Sequence, residues 1–483
     1  MTGGASANFR EASYKASDGD IYRGWVLEDV FKLADPPSRP EVDRAAFIDI
    51  CFFAAETFSD GSDSAPLQVV PEYLVARALI ETGLKNSGPL LFESDAVGPL
   101  QVSSAEWTRF LKDGAPHSRV FSEGQYDDDL QQIWGAAWAL LSDARKISRL
   151  KEEEGTGTKA DPYIPSFLDV FHAHLTGSPA AAVSILNAQL NDADKSKPIG
   201  EILLRSMPPQ EIASFYQRRS RFAGTQDDPR TLAGFVKETG VSLDTALEQA
   251  FQIIKDTAPE LLPDTDWGDA PWHDVAETQI GIKEPDPRIL EYFKSTDLHP
   301  LPDSTGTPWC GAFVAHCLAN CGDADIASSI PKGAAVAAHW KNWGHRLPIR
   351  SNEIPVGAVV VLSPSPGSQS SGHVGFFEKF DGSRVSLLGG NQGHAVCKKS
   401  FLRSRIVSIG WQCRKPQPVA VPASSSMPGI SDEAFDLIVE FEVTNQQVYE
   451  GKYRKAVWPG HSSGVTIGIG YDVGHVSKSQ FID

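Results

Sequence analysis

Five stretches between residues 41 and 255 carry apolar residues at three- and four-residue spacing: EVDRAAFIDICFFAAETF, YLVARALIETGL, DLQQIWGAAWALLSDARKI, PSFLDVFHAHLTG and SLDTALEQAFQIIK. That period gathers the apolar side chains of each stretch on one helical face. With little strand-like alternation between them, this part of the chain is constrained to bury helix against helix. KEEEGTGTKADP and GTQDDPRT mark loops. At TAPELLPDTDWGDAPW (257–272) Pro and Asp accumulate and the texture changes. The helical patches HDVAETQIG and CGAFVAHCLAN come next, then GAVVVLS, HVGFFEKF, RVSLLGG and RIVSIGWQC, which are rich in Val and Ile and broken by Gly and Ser. Helix first and sheet second predicts an α+β domain. KPQPVAVPASSSMPG (415–429) has little to bury and reads as a Pro/Ser linker. A helix, ISDEAFDLIVEFEVTNQQVY, and a Gly-rich strand-turn segment, SGVTIGIGYDVGH, follow it.

A chain of 483 residues exceeds one hydrophobic core and predicts roughly three domains. The boundaries expected are an N-terminal segment 1–40, a helical domain 41–256, a linker 257–271, an α+β domain 272–414, the linker 415–429 and a partial α+β module 430–483. The formal net charge is 44 − 62 = −18, which argues against nucleic acid or an anionic membrane as a partner held by bulk electrostatics. No apolar run approaches the length of a membrane span. The N-terminus lacks a basic start followed by an apolar core, so no signal peptide is expected.

In TPWCGAFVAHC (307–317), Cys310 precedes an apolar helical run. It is open to four readings: packed core, disulfide, metal ligand or nucleophile. The six cysteines form no C-x-x-C pair, which disfavours zinc, and the missing signal peptide disfavours a disulfide. A nucleophile needs a thiolate, a base and a group to orient the base. Pro308 suggests a helix start at Cys310, where free N–H groups favour the anion. SGHVGFF supplies His373 as the base, and LLGGNQ supplies Asn391 as its orienting partner. Core packing remains open on pattern alone.

The ordered set PWHDVAETQIGIKEPDPRILEYFKST, TPWCGAFVAHCLANCG, GAVVVL, GHVGFF and LLGGNQ resembles the NlpC/P60 and CHAP peptidoglycan hydrolases over about 270–413. The resemblance implies a papain-like fold. It also implies a Cys310–His373–Asn391 triad, Trp309 at the substrate site, Cys317 in the core, and hydrolysis of an amide of the wall peptide. Whether that means an N-acetylmuramoyl-L-alanine amidase or an endopeptidase stays open.

Glu81 lies on the apolar helix of YLVARALIETGL. A partly buried Glu of raised pKa can protonate a glycosidic oxygen and later act as base, although a surface glutamate is the default. ALIETG, SDAVGPLQVSSAEW and FLDVFHAHLTGSPAAAV together resemble the lysozyme-like lytic transglycosylases over roughly 65–240. That resemblance implies Glu81 as the catalytic residue and Thr82, Ser94, Gln101 and His174 at the substrate. No second Asp or Glu stands at a fitting spacing, which favours transglycosylation over two-carboxylate hydrolysis. The tail from Ser431 to His475 resembles the opening of phage-type lysozymes, including the pesticin-like branch. There Glu442 would be the acid, Asp472 a charge stabiliser or base and Thr466 a positioner. Residues 430–483 are few for an independent core, so a fragment or a docked module is expected.

The expectation is a multidomain wall-degrading enzyme that has peptidoglycan as substrate and needs neither metal nor cofactor. It would be made in the cytoplasm and delivered to a cell wall as a phage lysin, a virion component or a secreted antibacterial effector with an immunity partner. The rival reading is an inactive peptidoglycan-binding or virion structural protein.

Overall fold

The computed structural model describes residues 41–58, 65–88, 95–263, 267–299, 306–365 and 370–412, and it gives the backbone of four further strands. Met1–Ala258 and Asp264–Gln412 form one compact unit; Pro259–Pro263 and Cys413–Asp483 form a second. The first half is helical and the second carries an antiparallel sheet, the order of elements expected from the hydrophobic periods. Among the described residues no helix is long and apolar enough to cross a membrane.

The helical half holds α1 (Arg44–Thr57), α2 (Pro71–Thr82), α3 (Ser104–Asp113), α4 (Gln132–Glu153), α5 (Phe167–Thr176), α6 (Pro179–Ala188), α7 (Pro209–Ala223) and α8 (Leu232–Thr257). Helix α2 is central. It packs against α1, α4 and α8, and its residues Pro71–Ala78 are all buried. Pro71 starts it, where a missing N–H costs nothing, and Gly83 ends it in the left-handed conformation at φ 68°. Helix α5 opens on a reciprocal cap in which the Ser166 hydroxyl accepts from Asp169 N while Asp169 accepts from Ser166 N, and it ends at Gly177, φ 71°. These caps fix which turn carries Glu81 and which carries His174.

Two hairpin strands, β1 (Phe9–Lys15) and β2 (Ile21–Leu27), pair antiparallel near the N-terminus, a segment for which no strands were expected. The sheet half begins with α9 (Pro271–Thr278) and α10 (Cys310–Ala319). Its strands are β3 (His345–Arg346), β4 (Val359–Leu362), β5 (His373–Asp381), β6 (Arg384–Gly389), β7 (Cys397–Leu402) and β8 (Ile406–Trp411). They form one antiparallel sheet in the order β3-β8-β4-β5-β6-β7. Helix α10 packs against β5 and β6, and every residue of β4 and β8 is buried.

The two halves of this unit dock through polar contacts. The Glu72 carboxylate, 3% exposed, accepts the Ile349 N–H at 2.9 Å. The Arg346 guanidinium donates to the Val69 carbonyl at 2.8 Å, and Arg350 pairs with Asp244 at 2.8 Å. The loop between α4 and α5 reaches the sheet half as well. The Ser371 hydroxyl donates to Asp161 Oδ1 and the Ile164 N–H donates to the Ser371 carbonyl, both at 2.7 Å.

Candidate functional site

Cys310 is the first residue of α10, so its sulfur lies among N–H groups that the helix itself leaves unused. The run Ala312–Ala315 is fully buried and Cys317 is 0% exposed, which seats the helix firmly under the sheet. Cys310 is 5% exposed and forms no disulfide. The Val374 N–H faces its sulfur from β5, one residue beyond His373. Burial pushes the thiol up to about 11; the Val374 and Gly311 N–H groups oppose this and the Asp161 carboxylate adds to it. Burial likewise pulls His373 down to about 4, with Gln392 pulling the other way. At neutral pH the pair therefore rests as thiol and imidazole.

The partner of His373 is Gln392. Its Oε1 lies 3.3 Å from His373 Nε2, while the Gln392 amide N–H₂ donates to the carbonyls of Leu387, Gly389 and Cys397. Those three acceptors turn the side-chain oxygen toward the imidazole. With Nε2–H given to Gln392, Nδ1 keeps the lone pair that a base needs. Asn391 was the expected partner, and the structure gives it no hydrogen bond to His373. It sits in the left-handed region at φ 57°, a conformation Asn tolerates better than most residues. That turn leaves Gln392, 6% exposed, as the inward residue.

Residues 302–391 match the family model of the CHAP domain. The match spans Cys310, His373 and Asn391, and it supports a peptidoglycan amidase or peptidase, a hydrolase of the cysteine type. No curated protein matches the chain. Within the CHAP domain Trp309 departs from its expected role. It is 0% exposed and its indole N–H donates to Glu284 at 2.7 Å, so it is packed in the core and lines no open surface in this structure. Of the described residues, His273, Glu277 and Glu378 could hold a cation. The Lys398 ammonium already lies 2.8 Å from Glu277 and 2.7 Å from Glu378, and supplies positive charge there.

One wall beside Cys310 comes from the helical half. Asp161 binds the Ser371 hydroxyl two residues before His373, and the Ile164 side chain lies over Gly372. No local motif announces this contact, because it joins segments 210 residues apart.

In the helical half, Glu81 and His174 line a cavity of about 500 Å³. The Glu81 carboxylate accepts from Arg219 Nη1 at 2.8 and 2.9 Å and from His174 Nε2 at 2.7 Å. Burial alone would raise its pKa, but Arg219 and His174 outweigh burial and hold it well below the usual carboxylate range. The expected raised pKa is thus reversed. Arg219 reaches Glu81 from a break in α7, where its own backbone is non-helical (φ −127°, ψ 27°). In the sequence Arg219 stands only in the basic run QRRSR, which carries no motif that points to Glu81.

The other expected residues of this site divide. Gln101 lines the cavity, but its amide donates to the Gly98 and Gly88 carbonyls at 2.8 and 3.2 Å, which braces the turn. The Thr82 hydroxyl bonds the Ala78 and Pro99 carbonyls and ties the end of α2 to that same turn. Ser94 and Glu442 lie outside the described residues. Thr466 and Asp472 are register partners on β9 (Thr466–Ile467) and β10 (Tyr471–Asp472), two short antiparallel strands. Asp143, which sequence spacing did not single out, lines the Glu81 cavity from α4.

Proposed function

We propose that this chain degrades bacterial peptidoglycan at two bonds, cutting the stem-peptide amide at Cys310 and the glycan strand in the Glu81 cavity. The observation that carries the first activity is that Cys310 and His373 both lie inside the CHAP match, with Gln392, the residue just after it, 3.3 Å from His373 Nε2. As the sulfur attacks the scissile carbonyl, His373 Nδ1 takes the thiol proton, and Gln392 stabilises the imidazolium through Nε2–H. His373 then returns the proton to the leaving amine, and water hydrolyses the thioester. Two neutral groups at rest fit this sequence, because charge appears only once substrate is bound.

The glycan activity rests on Glu81, His174 and Gln101 lining one cavity. The tail module, with Glu442, Thr466 and Asp472, is proposed as a second lysozyme-like segment. A phage lysin, a virion component or a secreted antibacterial effector with an immunity partner fits an enzyme aimed at walls, and genes adjoining this one would separate these settings.

Digestion of purified sacculi tests the proposal. Wild type releases both free amines and soluble glycan. Cys310→Ala removes the amines and Glu81→Gln removes the glycan fragments. Release of neither product from walls of several types would instead favour a wall-binding protein.

A further inference from the structure

A glycosidic bond breaks readily when its leaving oxygen is protonated, so the site needs a group with a proton to give. Glu81 lies against a guanidinium and an imidazole, and both favour its ionised form over one with a proton to give. The remaining carboxyls lining the cavity are Asp95, Glu106 and Asp143. Asp95 accepts from the Ser104 N–H and hydroxyl. Glu106 is paired with Arg77 at 3.2 Å. Asp143, on α4, has no hydrogen-bond or ion-pair partner among the described residues. Asp143 is half-buried in the cavity wall, and carboxyls placed without a partner in a cleft gather at functional sites.

We propose that Asp143 is the proton donor for glycan cleavage and that Glu81 is its carboxylate counterpart, so that the cavity performs two-carboxyl hydrolysis. The proposal rests on the reading of this cavity as the glycan site. The Asp143 O–H gives its proton to the bridging oxygen as the C1–O bond breaks, and that oxygen leaves with the electron pair as a new hydroxyl. The Glu81 carboxylate faces the positive charge growing at C1. Water then adds its oxygen to C1 and returns a proton to Asp143. One water is consumed and one reducing end is formed. The surroundings suit the role. Burial and then Glu106 push Asp143 up to about 6, against Arg109, Lys146 and Arg77, and Tyr73 stands within reach of the same field. Two carboxyls in one cavity with pKa values driven apart are the usual division between acid and base.

The test uses the full chain carrying Cys310→Ala, so that glycan cleavage alone dissolves sacculi. Asp143→Asn is expected to slow release by about 100-fold or more, while Asp143→Glu restores part of the rate. The rate should fall as pH rises past about 6, and fragments should end in reducing sugars. Thermal unfolding of Asp143→Asn, expected no lower than that of its parent, excludes loss of fold. A wild-type rate for Asp143→Asn, or fragments ending only in 1,6-anhydro sugars, would overturn the proposal while leaving Glu81 cleavage intact. If Glu81→Gln also cleaves at full rate, the glycan reading itself fails.

Discussion

The two N–H groups of the Gln392 carboxamide are shared among three carbonyls, which turns its oxygen toward His373. Gln392→Ala should therefore free the imidazole and lower kcat for amide release by about 10-fold or more. Asn391→Ala changes a backbone position and should act mainly on stability. Steady-state amine release decides between them, and a larger kcat loss for Asn391→Ala would return the orienting role to that residue. Asp143 carries a second prediction, about stability. Its folded pKa is raised, so the folded state binds the proton more tightly and stability falls as pH climbs from the ordinary Asp value to about 6. An interval of about two pH units corresponds to up to ~3 kcal/mol. Asp143→Asn cannot ionise, so its melting temperature should exceed wild type by more at pH 8 than at pH 5. An offset that does not vary with pH would contradict this account.

The turn Gly98–Gln101 shows how one element positions a site. Gly98 has φ 75°, and a Cβ there would stand 2.2 Å from Gln132 Nε2. That amide is itself anchored to the Val97 and Tyr126 carbonyls, each at 2.7 Å, so it cannot move aside cheaply. Gly83, at φ 68°, has nothing within 4 Å of a Cβ. Gly83→Ala should cost about 1 kcal/mol through backbone conformation alone. Gly98→Ala should cost about 2 kcal/mol more, because buried hydrogen bonds break as well. Urea unfolding of the pair separates the two contributions, and equal losses would mean that the Gln132 clamp is not rigid. The break in α7 is a second positioning device. It brings Arg219 onto Glu81 from 138 residues away, and so decides the ionisation of the carboxyl that the α2 motif identifies.

At the scale of the molecule, the helical and sheet halves share one compact unit, and Glu72 is buried where they meet. Burial raises its pKa, while Arg346, Arg350 and the Ile349 N–H draw it partly back. Removing such a group strands buried donors and the charge of Arg346. Glu72→Ala should cost about 3 kcal/mol and lower the melting of both halves together. Calorimetry of the wild-type chain should show the halves unfolding in a single transition. Two well-separated transitions would mean that the halves are independent. The same docking sets Asp161 and Ile164 against Ser371, two residues before His373, so disturbing it should also alter the amide cleavage proposed for Cys310.

By itself the sequence determined what depends on near neighbours. The helical period of 41–255, the strand texture after 357, the helix start at Cys310 and the GHVGF strand carrying His373 are all legible because periodicity and caps act within a few residues. Their order along the chain was enough to read the CHAP motifs. Tertiary structure decided everything that depends on what a side chain meets after the chain returns. Arg219 lies far along the chain from Glu81, Asp143 from the motif beside it, and Asp161 from Cys310. Gln392 follows Asn391 in the GGNQ motif, yet only the left-handed turn at Asn391 decides which of the two amides faces the base. Ionisation follows field and burial, and both are set by groups assembled from distant segments. For that reason the sequence could mark Glu81 as a candidate but not the charge it carries.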